Sequence, residues 1–168
     1  MTGESTSSLW FKCRRIVEFR DTDAAGIAHF SAFFFWMESA EYEFLRELGL
    51  RVVDTSPKDA ASLLRELPPG EENSQGIEVS WPRVSVSADY KAAVRFGDKL
   101  DVFIAVGKRG VSSLSYQFRF EKSGCLVATG TVVVVRCLMR HGRKPLPVKI
   151  PADILEQMKS YQLPDSDE

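Results

Sequence analysis

The sequence predicts an α+β fold in which one long helix packs against a curved antiparallel sheet of about five strands. Three observations lead there. The run AFFFWM, following Ser31, is apolar on every side of a helix, so something large must cover it. Leu114, Tyr116, Phe118 and Phe120 alternate with polar neighbours, the mark of a half-buried strand. Leu126–Leu138 is a nearly unbroken, β-branched run, as expected at the centre of a sheet.

Residues 1–8 and 164–168 read as disordered polar tails, leaving 9–163 as a single domain without internal repeats. Leu9–Phe19 is strand-like, with Phe11, Cys13, Arg15, Val17 and Phe19 alternating with Lys12, Arg14, Ile16 and Glu18. After the loop RDTDAAGIAHF, Ser31 is the expected N-cap of a helix that runs to about Leu48, where Gly49 stops it. At about 17 residues this helix would be roughly 25 Å long. Residues 51–75 are the least readable: DAASLLREL is compatible with two helical turns and LPPGEENSQG with a loop.

Strands resume over Ile77–Tyr90, where Pro82 breaks the alternation and marks a bulge or an edge. The turn RFGDK leads into Leu100–Val106, the turn KRG into Val111–Phe120, and the hairpin turn KSG into the β-branched run. Pro151 followed by ADILEQMK predicts a short C-terminal helix.

With 168 residues, 44% of them hydrophobic and 27% charged, the chain has the size and composition of one globular domain. A formal charge of −1 gives no bulk signal for a nucleic-acid partner. The three cysteines are an odd number with no C-x-x-C spacing, which predicts reduced thiols. The two histidines, His29 and His141, form no H-x-x-x-H pair, so no metal is expected. No apolar stretch approaches the roughly 18 residues of a membrane span, and the N-terminus is polar and acidic rather than signal-like. The expectation is a cytoplasmic protein that needs no metal or cofactor and binds neither nucleic acid nor membrane.

The segment that carries chemistry lies between the first strand and the long helix. Asp21 and Asp23 precede Gly26, and the loop delivers its backbone to a helix start near His29, Phe30 and Ser31. Unpaired N–H groups at a helix start favour negative charge. They suit a developing oxyanion, while a neighbouring carboxylate attacks a carbonyl or activates water. One such donor contributes on the order of 3 kcal/mol to lowering a barrier. The plainer alternative is a loop aspartate that stabilises the helix start by about 0.3–1 kcal/mol.

The stretch RDTDAAGIAHFSAFFFWMESAEYEFLRELGL resembles the start of the 4-hydroxybenzoyl-CoA thioesterase family of hotdog-fold proteins. The matching residues are Asp21, Asp23 and Gly26 of a D-x-D-x-x-G loop, then Trp36, Glu38 and Ala40 on an aromatic-rich helix. The likeness continues through ADYKAAVRFGDKLDV, with its turn Phe96, Gly97 and Asp98, and through SGCLVATGTVVVV and KPLPVKIPADI. It covers roughly residues 10–158 apart from 51–75.

The resemblance implies an acyl-CoA thioesterase of the hotdog fold. In it Asp23 is nucleophile or general base, Asp21 shapes the loop, and the backbone N–H of Phe30 polarises the thioester carbonyl. His29 is a candidate proton-transfer group, set against a plain loop role; Glu38 is a further candidate, set against structural hydrogen bonding. Lys108 and Arg109 match a stretch that contacts the CoA phosphates. Arg136, Arg140 and Lys91 are additional basic candidates, and part of the run Phe33, Phe34, Phe35 and Trp36 would line the acyl pocket. The partner expectation is a homodimer joined edge to edge through its sheets, and a homotetramer built from such dimers. Aromatic and aliphatic acyl groups, and CoA and acyl carrier protein as carriers, all stay open. The alternative is a non-catalytic module on the same fold that binds or senses acyl-CoA, a reading that Asp23 disfavours. A hotdog dehydratase would need a D-x-N-x-x-H stretch, which is absent.

Overall fold

The computed structural model describes residues 9–70, 76–140 and 142–164. The tail expected at 1–8, all but Pro164 of the one expected at 164–168, residues 71–75 of the expected loop, and His141 lie outside the described residues. In chain order the elements are β1 (Phe11–Ile16), α1 (Ala32–Glu47), β2 (Val53–Asp54), α2 (Ala60–Glu66), β3 (Val79–Ser80) and β4 (Arg83–Tyr90). Then come β5 (Lys99–Arg109), β6 (Ser113–Lys122), β7 (Cys125–Val135), β8 (Cys137–Leu138), β9 (Leu146–Pro147) and α3 (Ala152–Met158).

The long strands form an antiparallel sheet in the order β1-β5-β6-β7-β4, with α1 on one face. The alternation of β6 explains the placement: Leu114, Tyr116, Phe118 and Phe120 are all buried and share one core with Phe33, Trp36, Met37 and Phe44 of α1. Each such side chain contributes about 1.5–3 kcal/mol over leaving it exposed. Where β7 passes beneath α1, Gly130 leaves no room for a Cβ, which would collide with the Met37 sulfur and lie 3.2 Å from the Ser87 carbonyl. Arg15 ties β1 to the helix by donating from Nε to Ser39 Oγ at 3.0 Å and pairing with Glu43 at 2.8 Å.

Several expectations need adjustment. Ser31 is not a side-chain cap; it has helical backbone angles, and its hydroxyl bonds to His29 instead. The opposite end follows the glycine stop: Gly49 has φ +70, its N–H reaches the Arg46 carbonyl at 3.0 Å, and the Leu50 N–H reaches the Leu45 carbonyl at 2.8 Å. The apolar start of α1 is covered on one side only: Phe33, Trp36 and Met37 are buried, whereas Phe35 is 67% exposed. The sheet covers one helix face and leaves Phe35 outside it. The β-branched run sits one place from the edge rather than at the centre, which β6 occupies. Pro82 falls between β3 and β4, and the pairing of β4 with β7 slips between Arg83 and Ser85.

The sequence reading missed a second sheet. Four two-residue strands pair in the order β2-β3-β8-β9 beyond the ends of β4 and β7. With α2 they enclose a separate small core of Leu63, Val79, Leu138 and Val148.

Candidate active site

The segment from Val17 to Ser31 leaves β1 through a single 3-10 turn, Phe19–Asp21, and returns on itself as a small hairpin. The His29 N–H donates to the Asp21 carbonyl at 2.7 Å, Thr22 and Ala28 bridge, and the Asp23 N–H donates to the Ile27 carbonyl at 2.9 Å. Asp21 is occupied structurally, its carboxylate accepting the Glu18 N–H at 2.8 Å. Gly26 closes the tip with φ +72, and its N–H reaches the Asp23 carbonyl at 3.0 Å.

Asp23 is half-buried. Its Oδ1 accepts the Ala25 N–H at 2.8 Å, an Asx turn that fixes the rotamer. Among the described residues nothing bonds its Oδ2. The backbone N–H of Phe30 likewise has no partner among the described residues, while its carbonyl accepts the Tyr90 hydroxyl at 3.0 Å. The loop therefore presents one open carboxylate oxygen and one open N–H donor, both on backbone held by hydrogen bonds.

His29 faces inward at Nδ1, which lies 2.7 Å from Ser31 Oγ and accepts the Ser31 N–H at 3.3 Å. Its ring stacks against Phe30 at 4.3 Å between centroids. With Nδ1 accepting from the backbone, the ring proton is assigned to Nε2.

The helix acids form a separate cluster. Glu38 accepts the Tyr42 hydroxyl at 2.9 Å and sits 3.6 Å from Arg83. Glu41, 1% exposed, pairs with Arg83 at 2.8 Å. Burial pushes the Glu41 carboxyl up, and the Arg83 guanidinium opposes that. Both acids are engaged in joining α1 to the edge strand β4.

The basic candidates divide. Lys108 and Arg109 are exposed at the end of β5, beside a cavity of about 730 Å³ that Ser113, Gln117, Thr131 and Leu163 also line. The Asp23 loop adjoins the other end of that strand, where the Val17 N–H meets the Asp98 carbonyl at 2.9 Å. The length of β5, about 33 Å at the usual rise, separates the two regions within one chain. Arg136 must be withdrawn as a phosphate contact. It is 2% exposed, its guanidinium holds Asp59 at 2.8 and 2.9 Å, and it donates to the Lys149 carbonyl. A buried, paired guanidinium is not presented to a ligand on the surface. Arg140 is also engaged, donating from Nε and Nη2 to the Lys144 carbonyl at 3.0 and 2.7 Å.

Two residues at the loop escaped the sequence reading. Tyr90 anchors the Phe30 carbonyl, and Arg95 extends Nη1 to within 3.5 Å of the Gly26 carbonyl. They lie 60 and 69 positions from their partners, so no local spacing could mark them.

An α+β fold with a carboxylate loop feeding the start of its helix is the arrangement of a hotdog-fold protein. The profile of the thioesterase-like superfamily matches residues 17–158, and the chain belongs to that family. Among curated proteins it is similar to a 1,4-dihydroxy-2-naphthoyl-CoA hydrolase of Prochlorococcus marinus, 32% identical over 127 residues, covering 76% of this chain and 75% of the relative. A hydrolase of the same name from a Synechococcus strain is 34% identical over 125 residues, covering 74% and 75%. Among solved structures, a 1,4-dihydroxy-2-naphthoyl-CoA thioesterase from Synechocystis superposes with TM-score 0.68 at 18% identity, covering 89% of this chain and 96% of that one. A variant of 4-hydroxybenzoyl-CoA thioesterase in complex with 4-hydroxybenzoyl-CoA also gives 0.68, at 20% identity, covering 90% and 99%. No helix among the described residues is long and apolar enough to cross a membrane.

Proposed function

We propose that this chain hydrolyses the thioester of an aromatic acyl-CoA to the free acid and CoA, with Asp23 as the reacting carboxylate. The observation that carries the reading is the pairing of two open groups on one ordered loop, the Asp23 Oδ2 and the Phe30 N–H. The Phe30 N–H would donate to the thioester oxygen as negative charge gathers there. Asp23 would either attack the carbonyl, giving a mixed anhydride that water opens, or take a proton from the attacking water. In both routes the C–S bond breaks, the CoA thiolate leaves and is protonated, and water supplies the oxygen of the acid. The names carried by the relatives favour a hydroxynaphthoyl or hydroxybenzoyl group over an aliphatic one.

The reading includes a second copy of the chain. Strand β4 is an edge, and Val84, Val86 and Tyr90 on it are exposed. By the sheet register, the Arg83 end of β4 is also the Arg109 end of β5. Joining two β4 edges about a twofold axis would bring the partner subunit's Lys108 and Arg109 to the end of the sheet that carries Asp23. One CoA would then be held across the dimer, with phosphates on one protomer and thioester on the other. A homotetramer of such dimers is compatible with this. Residues 9–163 would act as one domain, in the cytoplasm.

The test is turnover of a panel of aroyl- and acyl-CoAs, read by thiol release. Preferred hydrolysis of aroyl-CoA supports the proposal; binding of every ester without release of thiol contradicts it and favours a binding module.

A further inference from the structure

One turn grips both ends of the Asp23 loop. Residues 95–98, between β4 and β5, meet the chain as it enters the loop: the Gly97 N–H donates to the Val17 carbonyl at 2.9 Å, and the Val17 N–H donates to the Asp98 carbonyl at 2.9 Å. The exposed rings of Phe19 and Phe96 meet edge to face, 6.3 Å apart. On the return side, the Ala28 N–H donates to the carbonyl of Val94, the neighbour of Arg95, at 2.8 Å. The Arg95 guanidinium reaches the Gly26 carbonyl at 3.5 Å. A Cβ placed on Gly26 would lie 3.8 Å from the same Arg95 nitrogen, so the guanidinium lies against the glycine.

The turn is itself clamped. Gly97 has φ +84, which suits glycine, and the Asp98 carboxylate accepts the Arg95 N–H at 2.8 Å and the Lys122 ammonium at 2.7 Å. Contacts therefore run from Lys122 on β6 through Asp98 and Arg95 to Gly26, whose own N–H holds the Asp23 carbonyl. Ala24, Ala25 and Gly26 are exposed, with no apolar packing to fix the tip of the loop. Arg95 is the side chain that fixes it from the solvent side.

We propose that Arg95 is a positioning residue for the Asp23 carboxylate, acting through the Gly26 carbonyl. The inference rests on the reading of Asp23 as the reacting group. At 3.5 Å the contact is long for a hydrogen bond and makes a weak tether. A carboxylate displaced by about 1 Å loses about a hundredfold in rate, so a weak tether on a small loop matters to the chemistry more than to the fold.

The experiment compares Arg95→Ala and Arg95→Lys with wild type, in kcat and KM separately and in hydrogen exchange of the backbone amides. For Arg95→Ala we expect kcat to fall about tenfold or more with KM nearly unchanged. Exchange should quicken in residues 22–28 alone, and Arg95→Lys should recover most of the rate. Added to Asp23→Asn, Arg95→Ala should cost nothing further. Unchanged kcat, a rise in KM alone, unchanged exchange in 22–28, or an equal loss in the Asp23→Asn background would each overturn the proposal. The exchange measurement needs no turnover, so it tests the Arg95 tether even if Asp23 proves not to be the reacting group.

Discussion

Arg136 holds both carboxylate oxygens of Asp59, through Nη1 at 2.9 Å and Nη2 at 2.8 Å, from a position only 2% exposed. The pair locks the residue before α2 to the junction of β7 and β8, tying the second sheet to the first. Removing Asp59 would strand a buried cation, which costs about 3–5 kcal/mol. Arg136→Met removes the charge itself and leaves a carboxylate that water can reach. Urea unfolding should therefore rank Asp59→Ala as the more damaging change. Neither should alter KM for an acyl-CoA, whereas Arg109→Ala should raise it.

Asp98 gives a pH signature. The Lys122 ammonium, then the Arg95 N–H, hold its carboxyl below the ordinary 3.8. A group whose pKa is lower in the folded chain stabilises the fold above its unfolded value, and that contribution fades as pH falls through the folded value. Asp98→Asn should therefore lower Tm at pH 7, and the gap from wild type should close as the pH is taken below 3.8. A gap that stays constant into acid would show that the carboxylate charge is not what matters.

The cysteines should separate cleanly. Burial pushes the Cys13 thiol up to about 11 and raises that of Cys137, while Cys125 is exposed on the β6–β7 hairpin. A thiol-reactive dye at neutral pH should titrate one group in the native chain and all three after unfolding. Two fast groups would mean that β1 or β8 opens readily. The count also sets the background for any assay of CoA release.

The edge of β4 carries the prediction about assembly. If two β4 edges join as proposed, Val86→Lys, which adds a charge to an exposed strand edge, should run as a monomer on size-exclusion chromatography where wild type runs as a dimer, with activity falling in step. A variant that is monomeric and fully active would exclude a site shared between protomers.

Much of this was legible in the sequence because the period itself is a physical signal. Leu114, Tyr116, Phe118 and Phe120 declared their common face by alternation, and the same residues form the core. The loop of Asp21, Asp23 and Gly26 stood out through its resemblance to the thioesterase family, since aspartates and a glycine before a helix are common in ordinary loops. The second sheet was not visible, since strands of two residues such as Val53–Asp54 and Leu146–Pro147 have no period to read. Arg136 was misread for a related reason. Its place after a strand resembles a surface position, and Asp59, 77 positions away in sequence, together with the Lys149 carbonyl turns it inward. Arg95 and Tyr90 were overlooked because their partners arrive from a distant part of the chain.

The central claim is that the Asp23 carboxylate carries the hydrolysis, and Asp23→Asn tests it most directly. The change keeps size and shape and removes the charge; the Asx turn to Ala25 can persist through the amide oxygen. Release of CoA from the best aroyl-CoA substrate should fall by about a hundredfold or more, with substrate still bound and Tm little changed. Full activity in Asp23→Asn would contradict the account and move attention to His29 and Glu38.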